Sequence, residues 1–364
     1  MNIYKLMRSL LFRLDPETAH QLTLYVLRST QSFPPALWML KRMYAVPSKP
    51  VKAFGLTFKN PVGLAAGYDK DGVAIKGLAA MGFGHIEIGT ATPRPQPGNP
   101  RPRVFRLVED EAVINRMGFP SRGSEFVQMQ LNPSLRAGWF ERNFGIQPRG
   151  QKDKPVIVRK GNTILGINLG KNKETPNEEA VMDYLDLLQA FAPYADYLTI
   201  NISSPNTVGL RQLQVREALN GLLTHLHAQR KLEEQKLGKR LPLLVKLAPD
   251  LTESELDDAI GVILDSGMDG VIATNTTLAR DGLRSRHQGE PGGLSGSPLR
   301  VRSEAVLNRV VKLVNGRVSI ISAGGIMSPD DAKKRLAMGA SLVQVYTGLI
   351  YRGPNLVRKI VEAL

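Results

Sequence analysis

The 364-residue chain contains no cysteine. Disulfides, thiolate metal sites, iron–sulfur ligation and cysteine nucleophiles are thereby excluded together. Histidine is scarce, with five residues, and the closest two, His225 and His227, stand two apart, so a helix would point them in different directions. Metal chemistry is not expected. No apolar run approaches the ~18–20 residues needed to cross a bilayer, and the N-terminus lacks the unbroken apolar stretch and small-residue cleavage site of a signal peptide. Acidic residues are few beside basic ones, 33 against 48, which leaves a net charge of +15. Such a balance favours nucleic acid, phosphorylated ligands or an acidic membrane surface as partners. What is present is the composition of a folded globule, 42% hydrophobic and 22% charged, which excludes disorder and fibrous repeats. The length suits two units of ~150 residues or one α/β barrel of ~250 or more.

The basic excess is local. Residues 1–50 carry seven cations (Lys5, Arg8, Arg13, Arg28, Lys41, Arg42, Lys49) against Asp15 and Glu17. Residues 134–160 carry seven more against Glu141 and Asp153, so these two stretches hold ten of the fifteen excess charges. The remaining body is only mildly basic, and a nucleic-acid surface is not expected there. Within residues 1–50, Ile3, Leu6, Met7, Leu10, Leu11 and Leu14 recur at the three- and four-residue steps of one helix face. Asp15-Pro16 is a helix start, with a capping residue before a proline at the first helical position. A second helix follows through Ala19, Leu22, Val26 and Leu27. Phe33-Pro34-Pro35 breaks it before a short aromatic-rich turn containing Trp38 and Tyr44. Two readings stand side by side: a helical appendage packed on the main domain, or helices lying in a membrane interface with cations at the headgroups.

From residue 62 onward, short apolar runs alternate with helical patterns. The runs are Val62–Ala66, Ile86–Thr90, Leu165–Leu169, Tyr197–Asn201, Leu243–Leu247, Gly270–Thr274, Ser319–Ala323 and Leu342–Tyr346. Thr252 with Glu255 forms a capping-box pattern, and Ser328-Pro329 opens another helix. Eight strand–helix units predict a closed (β/α)8 TIM barrel, residues 51–364, behind a small N-terminal helical extension, residues 1–50. In such a barrel the chemistry sits at the carboxyl ends of the strands. Those ends read Lys70, Thr90, Asn168, Asn201, Lys246, Asn275, Gly324-Gly325 and Tyr346. Amides and ammonium groups supply many N–H donors and little negative charge, which suits a flat, anionic, carbonyl-rich molecule. With no carboxylate pair and no Ser-His-Asp order, redox chemistry on a bound cofactor is the strongest option. Gly324-Gly325 after the seventh strand and Tyr346-Thr347-Gly348 after the eighth are placed where such barrels bind phosphate.

These residues resemble a known family. Asn201-Ile202-Ser203-Ser204-Pro205-Asn206-Thr207-Val208-Gly209-Leu210-Arg211 and Ala65-Ala66-Gly67-Tyr68-Asp69-Lys70-Asp71-Gly72 are similar to segments of the dihydroorotate dehydrogenases. So are Asn115-Arg116-Met117-Gly118-Phe119, Gly166 through Lys173, and Thr274-Asn275-Thr276. The resemblance covers nearly the whole chain. It implies FMN at the barrel mouth and oxidation of dihydroorotate to orotate in pyrimidine biosynthesis. By position it implies FMN contacts from Ala66, Gly67, Thr90, Asn168, Asn201, Lys246, Thr274, Gly296, Gly325, Tyr346 and Thr347. It implies orotate contacts from Lys70, Asn115, Arg116, Met117, Gly118, Phe119, Asn201, Asn206, Asn275 and Thr276. The soluble class of the family mostly uses a cysteine base and the membrane-associated class a serine. With no cysteine and Ser204 at the matching place, the resemblance is to the quinone-dependent class, with Ser204 as catalytic base and Ser203–Arg211 as a lid. That class implies a membrane quinone as electron acceptor, reached past residues 1–50, with His20, Arg106 and Tyr346 along the route. His20 fits a surface helix position equally well. The resemblance also implies a peripheral protein on the cytoplasmic face of the cell membrane, bound to an anionic surface, with a monomer favoured.

Two features depart from the family pattern. Val208 stands where a proline is usual, which loosens the lid's backbone. Residues 134–160 look like an insertion before the strand at Leu165, on the face away from the mouth. It is expected to be a surface or subunit-contact element ending in a hairpin around Lys160-Gly161-Asn162. The rivals are a tRNA dihydrouridine synthase, whose usual catalytic cysteine is missing here, a non-redox barrel that uses only the phosphate loops, and a lipid- or nucleic-acid-binding module.

Overall fold

The computed structural model describes residues 3–133, 135 and 163–364. Apart from Leu135, the expected insertion at 134–160 and its hairpin lie outside the described residues.

Three helices lead the chain: α1 (Ile3–Leu11), α2 (Pro16–Ser32) and α3 (Pro34–Met43). The Asp15 carboxylate caps α2 by accepting from the backbone N–H of Glu17 and Thr18 at 3.0 and 2.9 Å, with Pro16 at the first helical position. Helix α2 is fastened near both ends. At one end Glu17, itself buried, accepts from Arg103 Nε and Nη2 (3.1 and 2.7 Å) and from Arg101 Nη2 (3.0 Å). At the other, Gln31 donates to Val73 O and accepts from the backbone N–H of Lys76 and Gly77. Helix α1 is tied down by Tyr4, whose hydroxyl donates to Ile350 O, and by Arg8, which donates to Tyr351 O. Helix α3 has no buried residue. Leu6, Leu10, Val26, Phe33, Trp38 and Met39 are left exposed on this helical layer. No described helix is long and apolar enough to cross a membrane.

A hairpin not anticipated from sequence follows, β1 (Val51–Ala53) paired antiparallel with β2 (Leu56–Phe58). It drives Phe54 and Phe58 against Tyr197, Leu244, Ile272, Ile321 and Leu342, closing the end of the barrel away from the mouth. The barrel comprises β3 (Val62–Leu64), β4 (His85–Ala91), β7 (Ile164–Leu169), β8 (Tyr197–Asn201), β9 (Leu243–Leu247), β10 (Gly270–Ala273), β12 (Ser319–Ala323) and β13 (Leu342–Val345), all parallel. Each of the eight expected runs is one of these strands, within about one residue at most ends. The strands are buried almost throughout, since helices cover their outer face and side chains fill the inner one. The two caps expected within the barrel also form. Thr252 and Glu255 make a reciprocal capping box, and Ser328 accepts from the Asp331 N–H.

A second unanticipated element lies over the mouth. Strands β5 (Val104–Leu107), β6 (Ala112–Asn115) and β11 (Gly293–Gly296) form an antiparallel sheet. Its central strand pairs with a segment some 180 residues further along the chain, a contact that no local pattern announces.

Candidate active site

Polar side chains at the strand ends form one connected network. Thr90, at the end of β4, donates through Oγ1 to Asn168 Oδ1 at 2.6 Å. Asn201, closing β8, donates through Nδ2 to Asn168 Oδ1 (2.9 Å) and Thr90 Oγ1 (3.0 Å). Asn275 donates to Ser203 Oγ (2.9 Å) and Asn201 Oδ1 (3.3 Å). Lys246 is buried and faces the same cavity, yet its ammonium makes no hydrogen bond with any described residue. Burial pushes its pKa down, against the opposing charge of Glu87. Lys70 reaches Gly67 O at 2.5 Å, and burial pulls its pKa down to about 8 despite nearby Asp71 and Glu17. Its neighbour Asp69 is held by the backbone N–H groups of Val73 and Ala74, and burial lifts it to about 6.

The turn after β12 is built for close approach. Gly325 has φ +72°, and a Cβ there would stand 2.4 Å from Arg300 Cα. Only glycine fits such a backbone against its neighbour. The buried Arg335 holds the turn from behind, donating through Nη2 to Gly324 O, Arg300 O and Ser303 Oγ at 2.8–3.0 Å. Across the gap Thr347 Oγ1 meets Ser295 Oγ at 2.9 Å.

The segment Ser203–Arg211, expected to be a lid, gives its two serines different fates. Ser203 donates to Asn201 Oδ1 and accepts from Asn275, so its hydroxyl is fully engaged. Ser204, buried beside it on the cavity wall, accepts from Asn206 N at 3.2 Å and has no acceptor for its own proton among the described residues. Arg211 anchors the segment's far end by donating to Ser203 O, Thr276 O and Asp250. Val208 is 89% exposed within this segment, so a side chain differing from proline there meets mainly solvent.

These groups share one cavity of about 1150 Å³ that runs from the polar mouth into the helical layer. At the helical end the walls are Met7, Leu11, Phe12, Leu22, Val26 and Met43. Between the two ends stands His20, its ring edge-on to Tyr68 with centroids 4.9 Å apart. Burial, and then the Lys70 charge, drive the His20 pKa down to about 3, so it is neutral near pH 7. Tyr68 shares a hydrogen bond with Thr23 Oγ1 at 3.0 Å. Arg106 lies over the Phe12 ring and donates to Leu14 O at 2.7 Å. Tyr346 stacks edge-on to Tyr68, with its hydroxyl 3.4 Å from Gly67 O.

Most residues singled out from sequence line this cavity: Ser204, Ala66, Gly67, Thr90, Asn201, Lys246, Thr274, Gly296, Gly325, Tyr346, Thr347, Lys70, Asn115, Met117, Gly118, Phe119, Asn206, Asn275, Thr276, His20 and Arg106. Two do not. Asn168 stands one layer behind Thr90 and Asn201. The Arg116 side chain turns away to an ion pair with Glu290 at 2.7 Å and a stacking contact with Phe105. Its attraction to a carboxylate outside the mouth explains the difference. Thr23, Ser295 and Gln344 also line the cavity and were not foreseen, since single polar residues in apolar patterns carry no signal of where they point.

Known proteins fit this geometry. A family model described as dihydroorotate dehydrogenase matches residues 49–364. A protein of Idiomarina loihiensis named dihydroorotate dehydrogenase (quinone) is 47% identical over 362 residues, all of both chains. A Methylococcus capsulatus protein of the same name is 48% identical, over 98% of this chain and 96% of its own. Among solved structures, the ligand-free DHODH of Eimeria tenella superposes with a TM-score of 0.80 at 41% identity, covering 96% of this chain and 94% of that one.

Proposed function

The chain belongs to the dihydroorotate dehydrogenase family, in its quinone-dependent class of pyrimidine-biosynthesis oxidoreductases, and from that premise we propose that its barrel mouth oxidises dihydroorotate to orotate with FMN and passes the electrons to a membrane quinone. The observation that carries this reading is the single cavity with two characters, amide and ammonium donors at one end and apolar side chains at the other. A small anionic ring and a long-tailed quinone have those two chemistries.

The residues present suit FMN. The Gly324-Gly325 turn, packed closely against Arg300, brings its backbone to the cavity wall where a phosphate would sit, and Lys246 is a buried ammonium without an acceptor among the described residues. Ala66, Gly67, Thr90, Asn201, Thr274, Gly296, Tyr346 and Thr347 would complete the holder, with Asn168 supporting Thr90 and Asn201 from behind. When bound, FMN supplies the two-electron acceptor. Lys246 then balances negative charge gathered in the loaded site. Lys70 offers its ammonium to the dihydroorotate carboxylate, while Asn115, Asn206 and Asn275 match the ring's carbonyl and N–H groups. Ser204 Oγ takes the proton from C5, being the hydroxyl of Ser203–Arg211 that lines the cavity. Serine is a poor base at its ordinary acidity, so that proton needs an onward path, through water near Thr207 and Phe119.

We place the helical layer on a membrane. Its exposed Leu6, Leu10, Phe33, Trp38 and Met39 provide apolar contact, and Arg13, Arg28, Lys41 and Arg42 lie in the same segment for anionic headgroups. The cavity end lined by Met7, Leu11 and Leu22 would then open toward lipid, on the cytoplasmic face. His20, neutral, and Arg106 stand between that entrance and the mouth. Anaerobic titration tests the whole sequence. Dihydroorotate should bleach a bound flavin and a quinone should restore its colour; colourless protein that refuses FMN would end the proposal.

A further inference from the structure

Beneath the mouth, in the barrel interior, lies a fully buried carboxylate, Glu87. Its Oε2 accepts from Gln344 Nε2 (2.9 Å), Tyr197 Oη (3.1 Å) and Thr199 Oγ1 (3.2 Å). Its Oε1 accepts from Asn168 Nδ2 at 2.8 Å. Burial first, and the Glu87 charge second, hold the Tyr197 phenol well above its ordinary range, so Tyr197 remains a donor. A charge taken this far from water is tolerated only with donors on every side, and four are supplied.

The consequence lies in the amides above. An asparagine side chain has an oxygen end and an NH2 end of nearly equal shape, so its partners decide which way it faces. A carboxylate offers acceptors alone. Asn168 must therefore turn its NH2 down to Glu87, which leaves Oδ1 upward to accept from Thr90 and Asn201. Asn201 thereby commits its own NH2 inward, and its Oδ1 faces Ser203 and Asn275. Asn275 in turn donates to both and keeps Oδ1 for the Thr276 N–H at 2.8 Å. Each amide is set by the one below it.

We propose that Glu87 is a positioning residue that fixes, through Asn168 and Asn201, the donor–acceptor sense of the amides at the mouth, and with it the recognition of the pyrimidine ring. The proposal rests on the function proposed above. It gives the charged residue in the centre of a barrel strand a task beyond its attraction to Lys246.

Glu87→Gln preserves shape but adds an NH2 group. The three donors on one side hold the new carbonyl, so the NH2 faces Asn168, and Asn168 and Asn201 must both reverse. In FMN-loaded enzyme the orotate dissociation constant, read from flavin absorbance, should rise at least tenfold, while FMN stoichiometry stays near one. Adding Asn168→Asp restores an acceptor on both faces of position 168, and the double variant should recover most of the lost affinity. Thr199→Val removes one donor to Glu87 without touching Asn168 and should leave orotate affinity within twofold. Unchanged orotate binding in Glu87→Gln, or a double variant no better than the single one, would overturn the proposal. If Glu87→Gln alone does not fold, the double variant decides: folded and orotate-binding supports the relay, folded and unable to bind overturns it. A wild type that binds neither orotate nor FMN would count against the proposed function instead. The relay would then be read in protein without FMN, where the Asn168 and Asn201 side-chain amide protons should exchange more slowly in wild type than in Glu87→Gln. Equal exchange would refute it.

Discussion

Orotate binding measured against pH isolates the part played by Lys70. Burial pulls this ammonium down to about 8, so it begins to lose its proton well inside the accessible range. The sign follows from the charge: the protonated form attracts the carboxylate, so affinity is full below pH 8 and falls above it. If only the ammonium form binds, the apparent dissociation constant scales with the protonated fraction. It is then about 10% above its plateau at pH 7, about twofold above at pH 8 and about elevenfold above at pH 9. In the complex the carboxylate retains the proton on Lys70, so the tenfold-per-unit slope continues beyond pH 8 rather than levelling there. Lys70→Met should remove a charge-assisted hydrogen bond worth about 2 kcal/mol, weakening orotate by roughly 30-fold at pH 7. It should also flatten the profile. Flavin absorbance titrations from pH 6.5 to 9 on both proteins supply the data. A wild-type profile that stays flat through pH 9, or a bend that survives in Lys70→Met, would refute the assignment.

Ser204→Ala should slow anaerobic flavin reduction by dihydroorotate some 10²–10⁴-fold while orotate binding changes little; stopped-flow traces matching wild type would remove Ser204 as the base. Gly325→Ala places a methyl 2.4 Å from Arg300 Cα at a positive φ, so the turn must shift and FMN content after dialysis should drop well below one per chain. Retention of full FMN would show that this turn does not hold the phosphate. Leu6→Asp with Leu10→Asp alters two side chains that are 63% and 59% exposed, so folding and flavin reduction should be spared. Flotation with anionic vesicles should fall at least about 20-fold, from about 1 kcal/mol or more lost per partly exposed leucine; undiminished flotation would disprove the membrane contact.

The barrel was legible because its strands are continuous apolar runs punctuated by strong caps at Thr252 and Ser328, and the helical layer because of the cap at Asp15. Each of those signals is local. The hairpin at Val51–Phe58 and the sheet over the mouth were not legible, since their strands are three or four residues long and β6 finds one partner far along the sequence. The site residues were legible as motifs, and the cavity gathers nearly all of them. Arg116 was misplaced because a motif fixes a backbone position and leaves the side chain to its strongest partner, here Glu290. Glu87 sits in the apolar run His85–Ala91 and gives no sign, within that run, of the four donors that meet it from β7, β8 and β13.

The two fastenings of α2 decide which part of the entrance can yield. Bolted at Glu17 and again at Gln31, that helix is a fixed doorpost. Helix α1 is latched to the chain's last turns by Tyr4 and Arg8. Helix α3, which contributes Leu40 and Met43 to the passage, has no fully buried residue and makes no side-chain hydrogen bond among the described residues. On the proposed route a quinone tail would pass α3, the wall with the fewest ties, while the doorpost keeps its place.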